Sequence, residues 1–176
     1  TLAPAAGAHG ELTGMKIIRA ALQARGNPRR KMLIPDTAHG TNPASSVLNG
    51  YQCVEVKSSA EGLIDPAAVA ALMTDDVAGI MITNPNTLGL FERNLPEVAR
   101  IVHDKGGFVY GDGANLNALM GKVRPASLGL DVIQFNLHKT FATPHGGGGP
   151  GSGPVGVVEA LSPYLPVPRV VRGPDG

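Results

Sequence analysis

Lys139 comes shortly after residues 132–135, an apolar run that is typical of a buried strand. An isolated ammonium group is costly in apolar surroundings, so a lysine at such a place is unusual. The neutral amine of a lysine can attack a carbonyl carbon and form a Schiff base with it. Taken alone, however, Lys139 is more often a surface or ion-paired residue than a nucleophile, so a second feature is needed.

Asp112 supplies that second feature, because it also follows an apolar run, residues 108–110. The segment between Asp112 and Lys139 is long enough for one helix and one strand, which would bring both residues to the same rim of a parallel sheet. A Schiff-base lysine and an aspartate that keeps a pyridine nitrogen protonated are the protein's half of pyridoxal-phosphate chemistry. By itself, Asp112 is as readily a turn residue before Gly113.

The elements that must position these residues alternate between strand and helix patterns. Strands are predicted at residues 32–34, 51–56, 77–83, 108–110, 132–135 and 155–158, and helices at 12–22, 43–49, 65–73 and 95–105. Asn42 is expected to cap the second helix, with Pro43 at its first position. Strands that alternate with helices and carry continuous apolar runs indicate an α/β fold with a mostly parallel sheet covered on both faces.

The composition excludes several other classes of protein. With 43% hydrophobic and 16% charged residues, the chain is too apolar for disorder. A net charge of +1 gives no basic surface for nucleic acid. No apolar run reaches the roughly 18 residues that span a bilayer. The lone Cys53 excludes an internal disulfide and a cysteine-based zinc site, and no metal site is expected.

Three segments carry a resemblance to a known family: residues 36–45 (DTAHGTNPAS), 112–117 (DGANLN) and 138–151 (HKTFATPHGGGGPG). They closely resemble the glycine decarboxylase P-protein, the pyridoxal-phosphate component of the glycine cleavage system. The resemblance extends from residue 6 to residue 156. It implies the C-terminal half of that protein or its separate second subunit. The implied fold is the large domain of a fold-type I (aspartate aminotransferase-like) enzyme.

The resemblance implies roles for individual residues around the cofactor, pyridoxal 5′-phosphate. Lys139 matches the lysine that forms the Schiff base, and Asp112 matches the aspartate paired with the pyridine nitrogen. Ala114 is expected to lie against the ring. His39 matches a residue that stacks on the ring and shuttles a proton, although by itself it is more often a hydrogen-bonding loop residue.

Further contacts to the cofactor are implied at the edges of the site. Gly7 and Ala8 match the phosphate-binding turn, in agreement with their place just before the first helix, where free N–H groups favour an anion. Thr87 is a candidate partner for the ring hydroxyl or the substrate. The glycine-rich loop 146–153 is expected to border the site or to admit a lipoyl arm.

The implied reaction is the decarboxylation of glycine with transfer of the aminomethyl group to the lipoyl arm of the H-protein. The expected partners are glycine, the lipoylated H-protein and the remaining half or other subunit, in a dimer or heterotetramer, with neither nucleic acid nor membrane. The chain is interpreted as a piece of a longer protein that is cytoplasmic in a bacterium or mitochondrial (matrix) in a eukaryote.

Residues 1–158 are expected to form part of the pyridoxal-phosphate-binding large domain, and residues 159–176 a Pro/Gly-rich linker toward a further C-terminal domain. Two alternatives stay open. One is another fold-type I pyridoxal-phosphate enzyme, either an aminotransferase or an amino-acid decarboxylase. The other is a non-catalytic fragment of such a protein.

Overall fold

The computed structural model describes residues 1–144, 151–168 and 172–173. Its strands are β1 (Lys31–Pro35), β2 (Gln52–Val56), β3 (Val77–Thr83), β4 (Phe108–Gly113), β5 (Val132–Phe135) and β6 (Val155–Val157). Its α-helices are α1 (Gly7–Ala24), α2 (Thr41–Leu48), α3 (Pro66–Leu72), α4 (Leu95–Asp104) and α5 (Leu137–Thr140). Short 3₁₀ helices cover Leu116–Ala118, Pro125–Leu128 and Glu159–Tyr164.

All six strands belong to one sheet in the order β2-β1-β3-β4-β5-β6. The first five strands run parallel to their neighbours, and β6 runs antiparallel to β5. The predicted α/β architecture with a mostly parallel sheet is therefore confirmed. Because a parallel connection needs a crossover, each of the first four strands is followed by a helical segment that returns the chain to the same end of the sheet.

The sheet is buried on both faces, which explains its continuous apolar runs. In β3, for example, Met81 points into a core cluster shared with α1, whereas its neighbour Ile80 points into a second cluster shared with α3 and α4. Both side chains are fully buried. The first cluster also contains Leu161, so the last 3₁₀ helix packs on the same face as α1.

The first helix begins at Gly7 and not at residue 12, so Gly7 and Ala8 form its first turn and do not precede it. This turn consists mostly of small residues, which lack the apolar spacing that marked the predicted start.

The structure corrects two further details of the predicted elements. β4 continues to Gly113, so Asp112 pairs inside the sheet and does not lie in a loop after it. Asn42 is not the cap of α2, because the helix begins at Thr41 and its N-cap is Gly40. The amide of Asn42 is fully buried and bonds to two carboxylates on other elements, which draws it away from the capping position.

The proposed boundary at residue 158 stays a prediction. The residues directly after it, Glu159–Tyr164, form a helix whose Leu161 is fully buried. Residues 146–150 of the predicted glycine-rich loop lie outside the described residues. Within the described ranges, no helix is long and apolar enough to cross a membrane.

Candidate active site

A cleft of about 310 Å³ opens at the carboxyl ends of β1, β3, β4 and β5, beside the N-terminus of α1. The strand order changes direction between β1 and β3, and such switch points are where open α/β sheets bind ligands. The structure brings all seven predicted site residues to this cleft: Gly7, Ala8, His39, Thr87, Asp112, Ala114 and Lys139. Their individual roles stay predictions.

The register of three parallel strands places Asp112 at the floor of this cleft. Asp112 is aligned with Thr83 of β3 on one side and with Gln134 of β5 on the other. Residues aligned across neighbouring strands project from the same face of a sheet, so three polar side chains meet there. All three are buried, with 6% exposure for Thr83, 4% for Asp112 and 0% for Gln134.

The Asp112 carboxylate accepts four hydrogen bonds. Its Oδ1 accepts from the backbone N–H of Ala114 at 2.9 Å and from Gln134 Nε2 at 2.7 Å. Its Oδ2 accepts from Asn42 Nδ2 at 3.1 Å and from Thr83 Oγ1 at 3.3 Å. Every partner is a donor, which is the environment that an ionised carboxylate requires. Asp112 is therefore fixed in place as an anion at the floor of the cleft.

A second buried carboxyl, that of Glu11 on α1, lines the same cleft and was not predicted as a site residue. Its Oε1 accepts from Thr41 Oγ1 at 2.9 Å, and its Oε2 accepts from Asn42 Nδ2 at 2.9 Å. Burial, followed by the negative charge of Asp112, raises the pKa of the Glu11 carboxyl from 4.5 to about 7. The hydrogen bonds and the charge of Lys139 oppose this increase without cancelling it.

The sequence contained a signal for Glu11 that the prediction did not use. Glu11 stands four residues after Gly7, and residues four apart lie on the same face of a helix. If Gly7 at the N-terminus of this helix faces a cleft, Glu11 therefore faces the same cleft. Thr41 and Asn42 belong to the segment 36–45 that carries the family resemblance. The sequence predicted Asn42 only as a helix cap and assigned no role to Thr41.

Tyr110 lies beneath these carboxylates, two residues before Asp112 on the same face of β4. It is fully buried, and a Cβ on Gly14 of α1 would lie only 2.4 Å from its Cε2 atom, so the glycine makes room for the ring. Burial, then the charges of Asp112 and Glu11, raise the pKa of the Tyr110 hydroxyl well above its usual value. The phenol therefore stays neutral.

Lys139 lies on α5, the helical turn that directly follows β5, and it lines the rim of the cleft. The residue is exposed, so the apolar surroundings assumed in the sequence argument are absent. That part of the argument was wrong, because the chain leaves the sheet at Asn136 and carries Lys139 out of the buried layer. The strand pattern predicted that Lys139 and Asp112 come to the same edge of the sheet, and both residues line the cleft there.

His39 is an exposed residue at the mouth of the cleft. Its Nδ1 lies 2.8 Å from Thr41 Oγ1 and accepts from the Thr41 backbone N–H at 3.2 Å. Thr87 is also exposed, and its hydroxyl donates to the carbonyl of Thr37 at 2.5 Å. The hydroxyl proton of Thr87 therefore lies in a hydrogen bond between two loops. The Thr87 oxygen can still accept a hydrogen bond.

The N-terminus of α1 closes one side of the cleft. The first N–H groups of a helix have no acceptor within the helix, and together with the helix dipole they favour an anion. Gly7 is buried against Asn136, and a Cβ at that position would lie 1.9 Å from Asn136 Nδ2. Only a glycine allows this close approach. Asn136 Oδ1 is itself buried with no hydrogen-bond partner among the described residues.

The fold and the cleft together define a class: an open α/β protein with a lysine and a buried aspartate at the carboxyl ends of its parallel strands. The sequence profile of the aminotransferase class-V family matches residues 10–148. The chain belongs to this family.

Curated relatives confirm the resemblance seen in the motifs. The chain is 60% identical over 171 residues to the "Probable glycine dehydrogenase (decarboxylating) subunit 2" of Caldanaerobacter subterraneus subsp. tengcongensis, with 97% of this chain and 35% of the relative covered. The protein of the same name from Prosthecochloris aestuarii is 56% identical over 176 residues, with 100% and 36% covered. The chain thus spans about a third of the length of these relatives.

Solved structures share the fold. The chain superposes on a glycine decarboxylase (P-protein) of the glycine cleavage system with a TM-score of 0.72 and 22% identity, covering 93% of this chain and 35% of that one. The aspartate aminotransferase of Thermus thermophilus gives a TM-score of 0.68 at 17% identity, covering 88% and 41%. These likenesses confirm the predicted aspartate aminotransferase-like fold.

Pyridoxal 5′-phosphate is the cofactor that this family implies, and the cleft has the groups to hold it. Asp112 offers a fixed anion for a pyridinium nitrogen, Lys139 offers an amine, and the first turn of α1 offers N–H groups for a phosphate. The orphaned amide oxygen of Asn136 lies at the edge of the same space. Among the described residues, no group of three His, Cys, Asp or Glu side chains could hold a metal ion.

Proposed function

We propose that this chain carries the pyridoxal-phosphate site of a glycine-decarboxylating enzyme that passes the aminomethyl group to a lipoylated carrier protein. The observation that carries the proposal is the convergence of Lys139, Asp112 and His39 on one cleft. It is supported by relatives at 56–60% identity that are named as second subunits of glycine dehydrogenase (decarboxylating). The partners in this proposal are glycine, the lipoylated carrier and a further subunit. The compartment is the cytoplasm in a bacterium or the mitochondrial matrix in a eukaryote.

The cofactor, when bound, supplies a carbonyl carbon that bonds to amines and a ring that accepts electron density. The residues of the chain supply the rest. Asp112, held by four donors, keeps a proton on the ring nitrogen through its negative charge. Lys139 presents its amine to the cleft from the rim, and the N-terminus of α1 binds the phosphate.

His39 occupies the mouth of the cleft, where it can accept or release a proton through its imidazole. The Thr41 contacts to Nδ1 hold the ring in one orientation, so that Nε2 is the nitrogen left for other groups. The open mouth between His39 and Lys139 gives access for glycine and for the lipoyl arm of a carrier.

The first experiment measures the visible absorbance of the intact protein with pyridoxal phosphate added, for the wild type, Lys139→Ala and Lys122→Ala. Lys122 is an exposed lysine outside the cleft and serves as the matched control. We expect a visible band that Lys139→Ala abolishes and Lys122→Ala retains. A band that persists in Lys139→Ala would reject the assigned role of this lysine.

A second experiment separates the proposal from its alternatives. Release of carbon dioxide from carboxyl-labelled glycine is measured with and without lipoylated carrier. We expect release that depends on the carrier. Amino transfer to a 2-oxo acid, without loss of carbon dioxide, would instead identify an aminotransferase, and cofactor binding with neither reaction would indicate a non-catalytic subunit.

A further inference from the structure

A chain of hydrogen bonds that the proposed function does not use crosses one wall of the cleft. Glu11 Oε1 lies 2.9 Å from Thr41 Oγ1, and the same oxygen of Thr41 lies 2.8 Å from His39 Nδ1. Glu11 is 5% exposed, whereas His39 is open to solvent. Three groups that exchange protons therefore connect the surface of the protein with a buried carboxyl.

The direction of these bonds follows from a fourth contact. The backbone N–H of Thr41 donates to His39 Nδ1 at 3.2 Å, so this nitrogen is an acceptor when the ring is neutral. The Thr41 hydroxyl then donates its proton to Glu11 Oε1. When Nδ1 carries a proton, it no longer accepts from the Thr41 N–H. It then donates to Thr41 Oγ1, at 2.8 Å, while that hydroxyl donates to Glu11 Oε1.

We propose that His39, Thr41 and Glu11 form a proton relay in which Glu11 stores a proton for the cleft. A proton leaves His39 Nδ1 for Thr41 Oγ1, and the hydroxyl's own proton passes to Glu11 Oε1. An imidazolium and a carboxylate thereby become a neutral imidazole and a carboxylic acid, with no electron gained or lost. Thr41 and Glu11 act through His39, and the use of the stored proton in catalysis rests on the proposed function.

The surroundings of Glu11 suit it to hold a proton. Asn42 occupies its Oε2, which leaves Oε1 as the oxygen joined to the relay. Its titratable or charged neighbours around the cleft are Tyr110 and Asp112 on β4, His138 and Lys139 on α5, and His39 before α2. Burial and the Asp112 charge raise the pKa of Glu11 to about 7, so the carboxyl gains and loses its proton near neutral pH.

The relay can be tested in the intact protein without cofactor. After a rapid drop in pH through about 7, the infrared band of a protonated carboxyl is followed in time, and Glu11→Gln identifies the band by removing it. We expect Thr41→Val to reduce the rate at which this band appears by about tenfold. This is the effect of losing one hydrogen bond from the transition state of proton transfer. Thr41→Ser keeps the hydroxyl and is expected to retain the wild-type rate.

The chain offers a matched control and a second way to break the relay. Thr13→Val removes a hydroxyl on α1 that donates to the carbonyl of His9 and does not line the cleft, and it is expected to leave the rate unchanged. His39→Phe interrupts the relay at its exposed end without altering a buried residue. It is expected to reduce the rate at which the band appears as much as Thr41→Val does.

Two results would overturn the inference. A band that forms at the wild-type rate in both Thr41→Val and His39→Phe would show that protons reach Glu11 by another route. A spectrum in which Glu11→Gln removes no band near neutral pH would show that Glu11 stores no proton. Because neither measurement uses the cofactor, failure of the glycine assay with an intact relay would reject the proposed function alone.

Discussion

Glu11 on α1 and Asp112 on β4 share one hydrogen-bond donor, Asn42 Nδ2, which lies 2.9 Å from Glu11 Oε2 and 3.1 Å from Asp112 Oδ2. All three side chains are buried. Two carboxylates so close together repel each other when both are ionised, which costs free energy. The negative charge is favoured on Asp112, because Asp112 accepts four hydrogen bonds and Glu11 accepts two. This relationship divides the two carboxyls into a fixed anion and a proton-holding group.

The first prediction concerns the pH dependence of stability. Glu11 is expected to titrate at pH 4.5 when unfolded and at about 7 when folded. Between these values the folded state binds the extra proton. The contribution of Glu11 to the free energy of unfolding is therefore highest below pH 4.5, falls as the pH rises to about 7 and is constant above it. The expected loss is on the order of 3 kcal/mol.

Urea unfolding of the wild type and Glu11→Gln across this pH range measures that loss. The glutamine variant cannot ionise and is expected to lack the decline attributable to Glu11. Glu97→Gln on the first turn of α4 removes an exposed carboxyl and is expected to follow the wild type. Parallel pH profiles for the wild type and Glu11→Gln would contradict the prediction.

The second prediction concerns Asp112 and the cofactor. Asp112→Asn keeps the size of the side chain but removes the negative charge that would face a pyridinium nitrogen. We expect affinity for pyridoxal phosphate to fall by roughly ten- to a hundredfold, the value of a charge-assisted hydrogen bond. Absorbance titration measures it. Asp131→Asn is the control, because Asp131 bonds to the Val109 N–H and to His103, away from the cleft. Equal affinities of the two variants for pyridoxal phosphate would refute the role of Asp112.

The third prediction concerns the close approach of α1 to Asn136. Gly7→Ala would place a methyl group 1.9 Å from Asn136 Nδ2, so the helix or the amide must move. We expect a loss of about 1–3 kcal/mol in the free energy of unfolding, together with weaker phosphate binding. Gly40→Ala, at the N-cap of α2, meets no atom within 4 Å and is expected to change stability by no more than about 0.5 kcal/mol.

Chemical denaturation of both glycine variants and inorganic phosphate titration provide the measurements for that comparison. A Gly7→Ala protein as stable as Gly40→Ala would mean that the contact with Asn136 does not restrict this end of the helix.

The fourth prediction concerns the shared donor. Asn42→Ala removes the amide that bonds both carboxylates and leaves each with one donor fewer. We expect a loss of about 1–3 kcal/mol in the free energy of unfolding, because the buried Oε2 of Glu11 loses its donor and Asp112 Oδ2 keeps only Thr83. Asn117→Ala, at an exposed position after β4, is the control. If the two alanine variants unfold at the same denaturant concentration, the shared bond does not contribute to stability.

The sequence by itself determined the order of the elements and the end of the sheet where the chemistry lies. Apolar runs and helix periods are local signals, and the carboxyl ends of parallel strands must meet at one edge of the sheet. The start of the predicted helix 65–73 was correct to within one residue. α3 begins at Pro66, and the side chain of its N-cap, Asp65, accepts from the N–H of Ala67 at 2.9 Å. Lys139, Asp112 and His39 could be assigned to one rim for the same reason.

Only the tertiary structure decided how the polar groups of that rim are paired. The bond from Asn42 to Asp112 joins residues 70 positions apart, and it depends on strand register and on the distance between α1 and the sheet. Local patterns contain neither quantity. The same limit explains why Asn42 was predicted as a cap, why Glu11 was not predicted as a site residue and why Lys139 was expected to be buried. Burial and a changed pKa arise where separate elements pack together, and no short segment of sequence encodes that packing.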